Sequence, residues 1–200
     1  MGRLKRAKLQ IIRARLIQRL SINSGLQLSI PGQSVTSDDA DQPPTGATFQ
    51  DAVTFFGELP AGRRLIGIDA GTKTLGLALS DVNRGIASPL ETIKRTKFTV
   101  DAARLLGICA EHKVAGLVLG LPINLDGSEG ARAQSTRALA RNLNKLSPLP
   151  ILLWDERLTT AEAERMLIAA DQSRKKRADV IDKLAATIIL QNVLDRMRGS

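Results

Sequence analysis

Aromatic side chains are scarce: four Phe, one Trp and no Tyr in 200 residues. The core must therefore be aliphatic, and the platform of stacking rings used by single-strand nucleic-acid binders is not available. One cysteine, Cys109, excludes an intramolecular disulfide and a Cys-based zinc site. Cys109 lies in an apolar helical pattern, so it reads as core packing. The one histidine, His112, follows it near the helix end and cannot complete a Cys–His protease pair with a buried thiol. No run approaches the roughly 18 apolar residues of a membrane span.

Charge is distributed unevenly. Residues 1–20 contain no Asp or Glu and residues 21–62 no Lys or Arg, while the whole chain carries a net charge of +9. The excess of base persists after residue 62, which points to a polyanionic partner, most simply nucleic acid. Residues 3–20 place basic and apolar residues at helical spacing, and the Ser/Gly/Asp/Pro-rich stretch that follows looks unstructured. Residues 1–62 are therefore expected to form a mostly disordered extension, loosely helical at its basic start. A basic arm, a targeting segment and a start site placed upstream are its three readings.

From Arg63 to the C-terminus one domain is expected. Leu65 to Asp69 and Leu75 to Ser80 read as a strand hairpin, with a third strand around Gly85 to Ile93. A helix over Val100 to His112 leads to an apolar strand, Ala115 to Leu119. The loop Gly120 to Gly130, a helix over Ala131 to Leu146 and a strand over Ile151 to Trp154 come next. Two helices near Thr160 to Ala170 and Ala178 to Met197 close the chain, with a basic run between them. A hairpin followed by strands alternating with helices gives an α/β fold, a mixed five-stranded sheet flanked by helices.

Three acidic positions carry chemistry. Asp69 ends an apolar strand before Ala70-Gly71-Thr72-Lys73-Thr74, where a carboxylate is costly unless it is paired or binds a cation. Gly71 is suited to a positive-φ turn and to close approach by a phosphate or metal; a turn capped by the Asp is the plainer reading. Asp155 and Glu156 follow the last predicted strand, at the end where open α/β sheets place their sites. Asp182 falls in the first turns of a largely apolar helix, where an anion is favoured whether or not it has a further role. Such oxygen ligands suit Mg2+ or Mn2+. Two such ions about 4 Å apart can activate water and stabilise the leaving oxygen in phosphodiester hydrolysis.

The segments IGIDAGTKTLGLALSD, GLVLGLPINLDGSEG, DERLTT and SRKKRADVIDKLAATIILQ resemble, in order, the signature segments of the YqgF (RuvX-type) family. The resemblance covers residues 63–196. It implies an RNase H-like fold related to RuvC resolvases and a cytoplasmic nuclease that processes the 5′ end of pre-16S rRNA. An older assignment for the family is a Holliday-junction resolvase. It further implies Asp69, Asp155 or Glu156, and Asp182 as catalytic, metal-binding carboxylates. Where RuvC-type enzymes place a Glu at the end of the central strand, this chain has Gly120, and Asp126 in the next loop is either a substitute ligand or a turn residue. Lys73, Arg157 and the run Arg174, Lys175, Lys176 and Arg177 are the candidate substrate contacts, the run being read as a positive loop that holds a phosphate backbone by shape rather than by base. Structured RNA is the expected partner, with branched DNA as the alternative, and the chain is expected as a monomer or homodimer with no membrane association. A non-catalytic RNA-binding assembly factor is a further reading. An actin-type nucleotide binder would need a second domain that 200 residues do not accommodate.

Overall fold

The computed structural model describes residues 46–158 and 174–199. Strands β1 (Thr48–Phe49), β2 (Arg64–Ala70), β3 (Thr74–Ser80), β4 (Ala87–Lys94), β5 (Val114–Leu121) and β6 (Ile151–Asp155) form one sheet. Helices α1 (Ala52–Gly57), α2 (Phe98–Glu111), α3 (Ala131–Asn144) and α4 (Arg174–Arg198) cover it. The strand order is β1-β6-β5-β2-β3-β4. β2, β3 and β4 form an antiparallel meander, whereas β5 runs parallel to both β2 and β6, and β1 parallel to β6. This is the RNase H-like arrangement.

Side-chain alternation along each strand separates two cores. Ile66, Ile68, Leu75, Leu77, Leu117, Leu119, Ile151 and Leu153 face α2 and α3, where Leu105, Ile108, Cys109, Leu139 and Leu143 meet them. The alternate residues, Leu65, Ala78, Val118, Leu152 and Trp154, face α1 and α4. Every residue of β5 is buried, as expected of a parallel strand covered on both faces. The Cys109 thiol is buried and its pKa is pushed up to about 12, which fits a packing role.

The sheet has six strands rather than five, because residues inside the polar extension join it. Thr48 and Phe49 pair with Ile151 and Leu152, and Asp51 caps α1 by accepting from the Thr54 amide at 2.7 Å. Phe55 on α1 is fully buried against the second core. The polar composition before residue 63 hid these few apolar residues. β4 starts at Ala87, not Gly85, because Asp81 accepts from the Gly85 and Ile86 amides at 2.5 and 2.9 Å and holds that segment in a turn. The basic run Arg174 to Arg177 is helical, the first turn of α4, and not a loop. The helical apolar pattern starts only at Val180, so it could not register that turn. Residues 1–45 and the helix predicted near Thr160 to Ala170 lie outside the described residues.

Candidate active site at the carboxyl ends of the central strands

α4 rests directly on the sheet because the strands beneath it carry glycine. A methyl group on Gly67 would come within 2.7 Å of both the Ala186 carbonyl oxygen and Leu190 Cβ. On Gly76 it would overlap the Asp182 carbonyl group, and on Gly120 it would come within 2.5 Å of Ile189 Cδ1. Gly67, Gly76 and Gly120 thus form a floor without side chains on β2, β3 and β5. The floor brings the α4 backbone close enough for Asp182 to reach the end of β2.

Asp69 lies on that same face, paired across the hairpin with Gly76. Its pKa is raised, first by burial and then by the negative charge of Asp182, with the Arg132 guanidinium opposing both. The Thr74 hydroxyl donates to Asp182 Oδ2 at 2.5 Å and aims that carboxylate at the hairpin mouth. The intervening turn is fixed from outside: Arg95 donates from Nη1 to the Gly71 carbonyl at 2.6 Å and from its amide to the Lys73 carbonyl at 2.8 Å. Gly71 does not adopt a positive φ. It does ease a close approach, since a Cβ there would lie 3.1 Å from the Thr74 carbonyl oxygen, a tight contact.

The acidic pair after β6 divides between the two faces. Leu152 and Trp154 face α4 while Ile151 and Leu153 face away, so Asp155 continues the second set. Asp155 accepts from the Arg157 amide at 2.9 Å and from Arg157 Nη2 at 2.7 Å, and this pairing holds its pKa below the usual carboxylate range. Glu156 turns toward Asp69. Its pKa is raised by burial and then by the charge of Asp69, with Arg132 again opposing. Glu156 Oε1 lies 2.5 Å from where a Gly120 Cβ would stand. The place above the end of β5 is therefore filled by a carboxylate delivered from β6.

The structure thus brings together Asp69, Glu156 and Asp182, with Asp155 paired to Arg157 beside them. Among the described residues, no three His, Cys, Asp or Glu side chains form a ready cage for an ion; the acids interact pairwise around Asp69. An all-oxygen donor set whose buried members repel one another nonetheless fits a hard divalent cation, which would remove that repulsion. Asp126 is a turn residue: its Oδ1 accepts from the Ser128 amide at 2.9 Å and hydroxyl at 2.6 Å, and its pKa is lowered accordingly. Lys73 is exposed on the turn beside Asp69. The backbone of Arg174, Lys175, Lys176 and Arg177 lies at the start of the helix that carries Asp182. Thr74, Arg95 and Arg132 escaped the sequence reading. Thr74 alone left a signal there, as the residue that shares the Asp69 face across the hairpin.

Residues 63–196 match the RuvX family, described as a Holliday junction resolvase. A relative from Cereibacter sphaeroides is 64% identical over 143 residues, spanning 72% of this chain and 89% of its own length. One from Roseobacter denitrificans is 59% identical over 152 residues, 75% of this chain and 93% of its own. Both carry the name "Putative pre-16S rRNA nuclease". Among solved structures, T. thermophilus RuvC in complex with a Holliday junction substrate aligns with a TM-score of 0.47 at 16% identity, covering 69% of this chain and 98% of that one.

Proposed function

Because this chain belongs to the RuvX family, we propose that it is a nuclease that hydrolyses phosphodiester bonds in structured RNA, with the pre-16S rRNA precursor as its substrate and Mg2+ or Mn2+ as its cofactor. The observation that carries the site assignment is the convergence of Asp69, Glu156 and Asp182 over Gly76 and Gly120 at the carboxyl ends of the central strands, where burial and neighbouring negative charge raise the pKa of Asp69 and Glu156. These three carboxylates are the residues that would hold the cation, whereas Asp155, on the opposite face, is paired with Arg157. Bound there, a divalent ion supplies an activated water and neutralises charge on the leaving oxygen.

The chain's own residues account for the rest. Thr74 orients Asp182 by hydrogen bonding, and Arg95 holds the turn between Asp69 and Thr74 so that both stay in register. Lys73 and the run Arg174, Lys175, Lys176 and Arg177 would attract the phosphate backbone by their charge, and with so few aromatic rings recognition rests on shape and charge. No helix among the described residues is long and apolar enough to cross a membrane, and the reaction is assigned to the cytoplasm, where the precursor is made.

The test is cleavage of pre-16S rRNA against a four-way DNA junction, with Mg2+ and with Mn2+, by wild type and Asp69→Asn. Metal-dependent cleavage of the rRNA that Asp69→Asn loses is the expected result. Cleavage of the junction alone would assign the chain to branched DNA, and a fully active Asp69→Asn would show that the site is misplaced.

A further inference from the structure

Arg132 is the second residue of α3, the helix that follows the loop leaving β5. The end of β5 lies beside the end of β2, with Leu119 paired to Ile68, and Glu156 sits over Gly120. The loop doubles back on itself: the Asn124 amide donates to the Ser128 carbonyl at 3.0 Å and Gly130, the residue before α3, faces the Asn124 side chain, so α3 starts beside a residue only three positions beyond the end of β5. There the positive charge of Arg132 acts on Asp69 and Glu156 alike.

Arg132 acts on these acids without being bonded to them. Other arginines near carboxylates form two-pronged pairs: Arg157 with Asp155, Arg137 with Glu129 and Arg104 with Glu91. Arg132 is exposed and makes no hydrogen bond or ion pair among the described residues. Its five N–H donors are left open toward solvent, at the place where a substrate must approach. A phosphodiester moving toward three carboxylates is repelled by them, and a planar guanidinium matches two phosphate oxygens at once.

We propose that Arg132 is a substrate-contacting residue of this site, its guanidinium donating two hydrogen bonds to non-bridging oxygens of the phosphodiester under attack. The contact offsets the repulsion between acids and substrate. It strengthens as a further negative charge develops on those oxygens during hydrolysis. This inference rests on the nuclease reading and adds to it the cation that faces the reacting phosphate.

The experiment uses the full chain as wild type, Arg132→Ala, Arg132→Lys and Arg141→Ala, the last being an exposed arginine farther along the same helix. Thermal melts confirm that each variant is folded. Binding of a structured RNA is measured without divalent ions over a KCl series, and cleavage is measured separately with Mn2+. Arg132→Ala should lower the salt slope of binding by about one and cleavage by about 100-fold or more. Arg132→Lys should recover the slope but not the rate, because an ammonium lacks the fork, and Arg141→Ala should cleave as wild type does. Unchanged slope and rate in Arg132→Ala would overturn the assignment, and full recovery of rate by lysine would overturn the two-pronged contact. The binding arm reads Arg132 without turnover. A wild type that binds RNA but does not cleave it would defeat the nuclease reading, while the slope would still decide the role of Arg132.

Discussion

Replacing Gly76 with alanine should damage both the fold and the site, and the structure sets the scale. The added methyl would overlap the Asp182 carbonyl group and lie 3.0 Å from Asp182 Cβ, whereas carbon atoms in contact normally stay about 3.5–4.0 Å apart. The obstacle is the main chain of α4, which cannot rotate aside as a flexible side chain would. The helix must therefore retreat by about 1 Å, and overpacking of this kind costs about 1–3 kcal/mol. Because Ala186, Leu190, Val193 and Leu194 on α4 share one core with β2, β3 and β5, the upper end applies, about 3 kcal/mol. At about 2–4 °C per kcal/mol, the melting temperature falls by about 6–12 °C. Urea unfolding measures the loss, with Gly107→Ala as the control. Gly107 lies within α2 and a methyl there meets nothing within 4 Å, so that change should stabilise by up to about 1 kcal/mol through helix propensity. Cleavage should fall by about 100-fold in Gly76→Ala even at temperatures where it is folded, since a displacement of about 1 Å is enough for that. A Gly76→Ala protein with the urea midpoint and activity of wild type would refute the idea that the glycine floor sets the position of Asp182.

The two acids after β6 should behave differently. Glu156→Gln should abolish metal-dependent cleavage, whereas Asp155→Asn, on the face away from Asp69, should retain most of it in the same assay; equal losses would mean that strand alternation does not sort them. Asp69 and Glu156 have raised pKa values, so in the absence of metal the folded state binds protons that the unfolded state has released, and stability falls as pH rises from the ordinary carboxylate range through their raised values. Asp69→Asn should flatten that fall and raise the melting temperature at neutral pH, and added Mn2+ should stabilise wild type but not the variant, both readable in a thermal-shift series. Phe55→Ala, by emptying a fully buried site on α1, should cost about 3–5 kcal/mol in urea unfolding, and a loss under 1 kcal/mol would detach residues 52–57 from the fold.

Most of the central sheet was legible because its signals are local. The hairpin of β2 and β3, the continuous apolar run of β5 and the short apolar run of β6 each follow from a few adjacent residues. Asp69 and Glu156 were legible as acids at strand ends; Asp182 was legible as an acid on the last helix, although α4 starts at Arg174 and so places it in the third turn rather than among the first. The division between Asp155 and Glu156 became visible only once the register of β6 was known, since adjacent residues face opposite ways and nothing in Asp-Glu-Arg says which face is covered by α4. β1 and α1 were hidden because a two-residue strand and a six-residue helix have too few positions to show a period. Arg132 and Arg95 act across the chain, on partners that only the folded sheet brings near them.

The glycine floor also sets an order of events during synthesis. Asp69 emerges from the ribosome more than a hundred residues before Asp182, and the sheet strands can pair while the last helix is still being made. Until α4 settles on Gly67, Gly76 and Gly120, the third carboxylate is missing and the hairpin mouth has no partner for the Thr74 hydroxyl. Assembly of the carboxylate cluster thus waits for α4, so the strands that carry Asp69 can fold before the helix that brings Asp182 to them.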